Sequence, residues 1–318
     1  PLTQGAPRPR GPFLISMSHL YEQRQDLAHR RAPTSPLLCG IGAICSSPMA
    51  AAPSPADTSG DTHVCYPQLR ARKSLLEGRM GSRCTLLRPG LVAYQDAWQL
   101  QQRIAERVRG GDDPMLILLE HPPTYTLGVR AKAEHLLLSQ EAFLSRGAEV
   151  HRTDRGGDVT FHGPGQLVGY PIIDIRPYGE GPSWYVRTLE AVLIDVLARF
   201  GVKGVRSERN PGVWIGNAKI AAIGVRVSRG ITTHGFALNV NTDLAYFQHI
   251  IPCGLAAAGV TSMQQHSGET FDMRDIEAEV AFAFARHFKL TIDEGDTGTR
   301  GAGVQPVSSA LAATGAFA

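Results

Sequence analysis

Hydrophobic positions begin to recur with a regular period only from Leu86 onward. Tyr94, Ala97, Leu100, Ile104, Ala105 and Val108, with Gln101 among them, fall at three- and four-residue intervals, and Gly110-Gly111 follows. That stripe predicts an amphipathic helix stopped by glycine. Met115-Leu116-Ile117-Leu118-Leu119 is a short unbroken apolar run, which predicts a strand buried on both faces. Val186, Leu189, Val192, Leu193, Val196 and Leu197 line one face of a second helix that Ser183 is placed to cap and that ends near Gly201. Val213-Trp214-Ile215, Ile220 to Val227 and Gly235 to Val240 predict strands. Asp272, with Asp275 three residues on, opens a last helix with Ile276, Val280, Ala283, Phe284 and Phe288 on its apolar side. Strands that run together between well-separated helices predict an α+β domain, a mixed β-sheet flanked by helices.

Composition divides the chain into three. Residues 1–79 hold Pro-, Ser- and Ala-rich runs such as Ser46 to Pro55 without periodicity, and are expected to be a low-complexity, disordered extension. They are Arg-rich, as a transit peptide is, but Pro1, Pro7, Pro9 and Pro12 would break the helix such a signal needs. An upstream extension of the reading frame, with Met80 near the start, is the simpler expectation. Residues 80–290 form the expected folded domain, and 291–318, rich in Gly, Ala, Thr and Ser, an expected disordered tail. The net charge of +3 misleads, because residues 1–83 carry ten Lys or Arg against five Asp or Glu, and the remainder 22 against 24. The core region lacks the basic, aromatic-interleaved stripe of a nucleic-acid binder, and no stretch approaches the roughly 20 apolar residues that span a bilayer. Neither a nucleic acid nor a membrane is expected as a partner. The five cysteines are widely spaced and include no CxxC pair, so no metal is expected and a reducing, cytoplasmic compartment fits, or a mitochondrial one if the extension is a transit peptide.

Two residues stand out chemically. Cys253 sits between Pro252 and Gly254, which keeps it out of regular helix or strand and presents its sulfur on a turn. Lys219 lies in Ala218-Lys219-Ile220-Ala221-Ala222-Ile223-Gly224. An ammonium about 4 Å from a thiolate, at an effective dielectric of about 20, stabilises the anion by about 4 kcal/mol before desolvation opposes it. That is up to about three pKa units, enough to make thiolate the main form at neutral pH. Without context, a small buried Cys is the alternative.

The segment from Arg155 to Gln166, Arg155-Gly156-Gly157-Asp158-Val159-Thr160-Phe161-His162-Gly163-Pro164-Gly165-Gln166, is dense in residues with special backbone demands. It reads either as a loop that approaches a ligand closely or as a tight turn between strands with a surface Arg. His121, before Pro122-Pro123 in an expected extended loop, and His234 read as hydrogen-bonded structural histidines, and Asn239, Asn241 and Asp243 as turn chemistry. No GxGxxG or GxxxxGK[ST] spacing occurs, so no phosphate-cradling loop, cofactor or ATP is expected. A Gly-x-Ser-x-Gly elbow is missing as well.

Taken together, Glu120 to Gly128, Arg155 to Gln166, Pro211 to Trp214, Lys219 to Gly224, His234 to Asn239 and Pro252-Cys253-Gly254 resemble the lipoyl(octanoyl) transferase family in order and spacing, over roughly residues 84–290. The resemblance implies the catalytic-domain fold of biotin and lipoate protein ligases. It implies transfer of octanoyl from octanoyl-acyl carrier protein to a lysine of lipoyl domains, such as those of 2-oxoacid dehydrogenase E2 subunits or the glycine cleavage H protein. It also implies that Cys253 is the nucleophile forming an acyl thioester and that Lys219 lowers its pKa and then accepts a proton. Arg155, Gly156, Gly157, Asp158, Val159, Thr160, Phe161 and His162, with Ala222, Ile223, Gly224, Gly235, Phe236 and Ala237, match the family's acyl-holding segments. A thioester donor needs no ATP, and a buried octanoyl chain would contribute roughly 5 kcal/mol at about 0.8 per methylene. The small residues of Ala221 to Gly224 and Gly235 to Ala237 are expected to leave room for that chain. An ATP-dependent lipoate or biotin ligase of the same fold, and a non-enzymatic acyl or carrier-protein binding module, are the alternatives.

Overall fold

The computed structural model describes residues 82–208, 210–251 and 259–295. The expected extension over 1–79, a start at Met80, the Pro252-Cys253-Gly254 turn and the tail from 296 lie outside them.

In chain order the elements are β1 (Ser82–Leu91), α1 (Tyr94–Arg109), β2 (Met115–Glu120), β3 (Thr124–Leu127), α2 (Gln140–Leu144), β4 (Glu149–Arg152), β5 (Val159–His162) and β6 (Gln166–Ile172). There follow α3 (Pro182–Arg199), β7 (Val205–Arg206), β8 (Gly212–Ile215), β9 (Ala218–Ser228), β10 (Ile231–Asn239), β11 (Gly259–Val260), α4 (Met263–Ser267), α5 (Met273–Phe288) and β12 (Leu290–Glu294). Among the described residues nine strands make one mixed sheet in the order β12-β1-β2-β6-β10-β9-β8-β7, with β11 added beside β9. A second sheet has the order β4-β3-β5.

The apolar run in β2 explains how the large sheet is covered. Side chains alternate between faces along a strand. Leu116 and Leu118 join the cluster formed with Leu189, Val192, Leu193 and Val196 of α3 and Ile276, Val280 and Phe284 of α5. Ile117 and Leu119 join Ala97, Ile104, Ala105 and Val108 of α1. The sheet is therefore sandwiched between α3 and α5 on one face and α1 on the other, and a strand buried on both sides has no polar face to show. The small sheet has its own aromatic core, in which Phe161 stacks on Tyr246 at 4.5 Å and Tyr125 meets Phe143 at 4.4 Å.

This is the expected mixed sheet flanked by helices, with corrections at the margins. Ser183 is not a cap, since α3 starts with Pro182 after Gly181 and has no side-chain cap bond. Proline at the first helical position lacks the N–H that a cap would satisfy and already holds a helical φ. The stretch after Pro122-Pro123 is strand β3 rather than loop. Residues 291–294, expected in the tail, belong to β12, which pairs parallel with β1 from Ser82↔Leu290 to Leu86↔Glu294. Lys289, left-handed at φ 54, turns the chain sharply off α5 to reach it.

Candidate active site

Lys219 lies near the start of β9, where it pairs with Trp214 of β8 and Val260 of β11. The β8–β9 register shifts between Val213↔Ala221 and Trp214↔Lys219, leaving Ile220 as an extra residue. Such a bulge bends the strand and re-aims its side chains. The Lys219 ammonium sits 4.9 Å from the centroid of the Trp214 ring. Gly212, at φ 128, is required here: a Cβ would collide with the Ala221 carbonyl oxygen and lie 3.5 Å from Cε of Lys219. Its N–H donates to Oε1 of the buried Glu190 at 3.0 Å, and the same carboxylate takes Arg187 and Arg206 at 3.2 Å each. A carboxylate buried in α3 thus holds the strand on which Lys219 leans.

Cys253 lies outside the described residues. On the described flanks, Ile251 donates its N–H to the His135 carbonyl at 2.9 Å, and Gly259 and Val260 pair with Ala218 and Lys219.

The Arg155–Asp158 turn joins β4 to β5 and is clamped from both sides. Gly128, Val129 and Arg130 donate their N–H groups to the carbonyls of Asp158, Arg155 and Gly157 at 3.2, 3.0 and 3.0 Å. From the large sheet, the Val225 carbonyl of β9 accepts the Gly156 N–H at 2.9 Å. Gly128 has no room for a side chain, because a Cβ would lie 2.7 Å from Nη1 of Arg155. Arg155 is not a surface residue: it is 7% exposed. Its Nε and Nη2 donate to Oγ1 of Thr126 at 3.2 and 2.9 Å, and Nη2 also to the Thr126 carbonyl at 2.6 Å. The Asp158 carboxylate accepts the Val159 N–H at 2.7 Å and lies 2.8 Å from Nδ1 of His135.

Strand alternation sorts the other predicted acyl-site residues. Val159 and Phe161 point into the small sheet's aromatic core, and Ile223 and Phe236 into the α3/α5 core. Ala222 pairs with Ala237 and Gly224 with Gly235. The expectation that the two glycines leave room for an acyl chain is corrected, because protein takes that space. A Cβ on Gly224 would be 2.9 Å from the Gly156 carbonyl oxygen, and one on Gly235 would collide with the Gly169 carbonyl. Small side chains remain at Ala222 and Ala237, the former three positions along β9 from Lys219.

His162 is buried, with Nε2 3.3 Å from Oγ1 of Thr126 and Nδ1 2.9 Å from Oε1 of Gln166. Burial first, then the nearby His121 and Arg155, pushes its pKa well below the usual histidine range. His121 and His234 are indeed hydrogen-bonded structural histidines. His121 lies 2.6 Å from the Val92 carbonyl and 2.8 Å from the Tyr170 hydroxyl, and burial brings its pKa down to about 4. His234, at φ 56, bonds Asp154 through Nε2 at 2.8 Å. Asn239 is not turn chemistry: it ends β10, buried, with Oδ1 accepting from Gln166 Nε2 at 2.9 Å and Nδ2 donating to the Thr261 carbonyl at 3.0 Å. Asn241 instead bonds both backbone groups of Phe271 across a loop, while Asp243 does cap the short turn that follows it. Thr126 lies within the Glu120 to Gly128 motif but carries no role of its own in the sequence, because its contact with Arg155 is made across the fold and no local pattern signals it.

A mixed sheet covered by helices on both faces, with a glycine turn clamped onto β9 and a lysine of the same strand seated beside a tryptophan, defines an α+β domain. The chain belongs to the lipoyl protein ligase A/B catalytic domain family, which matches residues 93–285. It is 49% identical to the octanoyltransferase of Gloeobacter violaceus over 215 residues, 67% of this chain and 94% of that protein. It is likewise 49% identical to the octanoyltransferase of Rubrobacter xylanophilus over 199 residues, 62% of this chain and 89% of that one. A solved structure of a bipartite lipoate protein ligase from Thermoplasma acidophilum shares the fold, with a TM-score of 0.54 and 19% identity over 68% of this chain and 87% of that one.

Proposed function

We propose that this protein is an acyltransferase that moves an octanoyl group from octanoyl-acyl carrier protein to a lysine of a lipoyl domain. The observation that carries this reading is the 49% identity to an octanoyltransferase across 94% of that relative's length. In the first half-reaction the Cys253 thiolate attacks the thioester carbonyl, a new C–S bond forms, the bond to the carrier's sulfur breaks, and the leaving thiolate takes a proton from the Lys219 ammonium, which becomes a neutral amine. In the second, the acceptor lysine attacks the acyl-enzyme, an amide forms, and the Cys253 thiolate departs while the neutral Lys219 amine takes the proton released by the nucleophile. The acceptors are lipoyl domains of the kind carried by 2-oxoacid dehydrogenase E2 subunits and the glycine cleavage H protein. Stabilising the tetrahedral oxyanion would supply about 3 kcal/mol per well-placed N–H donor.

Intact-mass analysis after mixing with octanoyl-acyl carrier protein tests the reading. A hydroxylamine-labile octanoyl adduct is expected on the wild type and not on Cys253→Ala. An adduct that persists in Cys253→Ala, or none on the wild type, rejects the mechanism.

A further inference from the structure

Five buried side chains between the two sheets form a hydrogen-bond chain whose direction is forced from both ends. At one end stands Arg155, whose guanidinium can only donate. It donates to Thr126 Oγ1 through Nε and Nη2, so the Thr126 hydroxyl hydrogen is left for another acceptor, and Nε2 of His162 lies 3.3 Å away. At the other end stand two main-chain carbonyls, which can only accept. Asn239 bonds the Thr261 carbonyl at 3.0 Å, which identifies that atom as Nδ2 and turns Oδ1 toward Gln166. Gln166 bonds the Phe161 carbonyl at 3.1 Å, which identifies Nε2 and turns Oε1 toward His162 Nδ1 at 2.9 Å. An amide oxygen facing a ring nitrogen requires N–H there. Both ends therefore demand the same imidazole, with hydrogen on Nδ1 and a lone pair on Nε2.

The chain ends beside the lysine. Thr261, whose carbonyl Asn239 holds, donates its own N–H to the Lys219 carbonyl at 3.0 Å, and the preceding Val260 pairs with Lys219. β10 pairs with β9 from Ala221 onward, and β11 takes over at Ala218 and Lys219, so Asn239 staples the two strands that flank β9 in succession.

We propose that Gln166 and Asn239 are positioning residues that hold His162 as the Nδ1–H tautomer and tie the Arg155–His162 segment, the turn and β5, to the backbone seat of Lys219. His162 in this arrangement is an anchor with both nitrogens engaged, and it carries no proton in the reaction. The titratable groups around its ring are Tyr94 at 6.0 Å and His121 at 5.7 Å between centroids, with Arg155 behind Thr126 and His234 also near enough to act on it. The kinetic part of the proposal rests on the octanoyl-transfer reading; the tautomer does not.

The test uses the full chain labelled with 15N-histidine and no substrate, with the His162 signal identified by its loss in His162→Asn. Near neutral pH, long-range proton–nitrogen spectra are expected to show His162 protonated on Nδ1 and bare on Nε2. Gln166→Leu is expected to lose that signature and the near-isosteric Gln166→Glu to keep it. In octanoyl-carrier turnover, Asn239→Leu and Gln166→Glu are each expected to lower kcat at least tenfold with KM for the carrier changed less than threefold, the split expected when an interaction matters in the transition state and not in binding. A wild-type His162 carrying its proton on Nε2 overturns the proposal whether or not any variant folds. So does a Gln166→Glu enzyme with unchanged kcat. A wild type with the expected tautomer but no octanoyl transfer would instead reject the proposed activity.

Discussion

The two faces of the large sheet are built from different materials. Toward α3 and α5 the buried side chains are almost all aliphatic or aromatic, from Leu116 and Leu193 to Phe284 and Phe288. Toward α1 and the small sheet the interior also holds Gln101, His121, Thr126, Arg155, His162, Gln166, His234 and Asn239, all buried. Apolar burial stabilises by roughly 25 cal/mol per Å², whereas a buried hydrogen-bonded polar group contributes only about 1 kcal/mol net. A buried polar interior that adds so little stability has another use, which is to fix one arrangement of directional bonds. Damage should therefore differ in kind: the apolar face loses stability by cavity, the polar face loses geometry by a single unmade bond.

The largest effect expected is on the apolar side. Phe284, fully buried and 4.4 Å from Phe288, leaves a cavity on replacement by Ala, at a cost of about 3–5 kcal/mol. Denaturant midpoints should fall accordingly, while octanoyl transfer per folded molecule stays near that of the wild type. Thr126→Val is the counterpart on the polar side, and removing the hydroxyl that accepts from Arg155 should cost only about 1–3 kcal/mol. Activity per folded molecule should nonetheless fall more than in Phe284→Ala. The reverse ranking would dissolve the distinction between the faces.

A second difference appears with pH. In the folded protein, burial keeps the pKa of His121 down at about 4 and that of His162 below the ordinary range, and both regain ordinary values near 6.5 on unfolding. Above about pH 6.5 neither state binds these protons and the histidines leave stability unchanged. As pH falls below that value the unfolded chain takes them up and the folded one does not, so stability is lost. For His121 the loss levels off near pH 4 at roughly 3 kcal/mol. Urea denaturation at neutral and mildly acidic pH should show His121→Gln losing less stability between the two than the wild type, and an equal loss would refute the account.

The two faces were also unequally legible in the sequence. Every residue of the predicted stripes in α3 and α5 is buried, because helix periodicity is a local property that one strip of chain reveals by itself. β12 was missed because a five-residue strand gains its structure from β1, some two hundred residues away. On the polar face the residue types misled. Asn239 reads as a turn former until the Thr261 carbonyl is known to face it, and Arg155 stays open between a ligand-facing loop and a surface turn until its guanidinium is seen buried on Thr126 of β3. Lys219 stands out in the sequence by its motif, but its seat against Trp214, beside the extra residue in β9, depends on strand register and does not.

The smallest effect expected lies at that seat. An ammonium 4.9 Å from an indole centroid is held by a cation–π attraction of about 0.5–1 kcal/mol, strongest for Trp and weaker for Phe. Trp214 is 7% exposed, and Phe keeps most of its apolar volume, so Trp214→Phe removes part of this attraction and the weak 3.4 Å bond from Nε1 to the Asn210 carbonyl without opening the strand pairing. If the ring only steadies the lysine, single-turnover formation of the acyl-enzyme should slow about two- to fivefold, the rate equivalent of that energy. Thermal stability should move by less than it does for Thr126→Val, because Trp214 lies on β8, next to the end strand of the sheet, whereas Thr126 is fully enclosed. An unchanged rate would show that Lys219 needs no ring to hold it, and a loss beyond about tenfold would show that Trp214 also shapes the polar face.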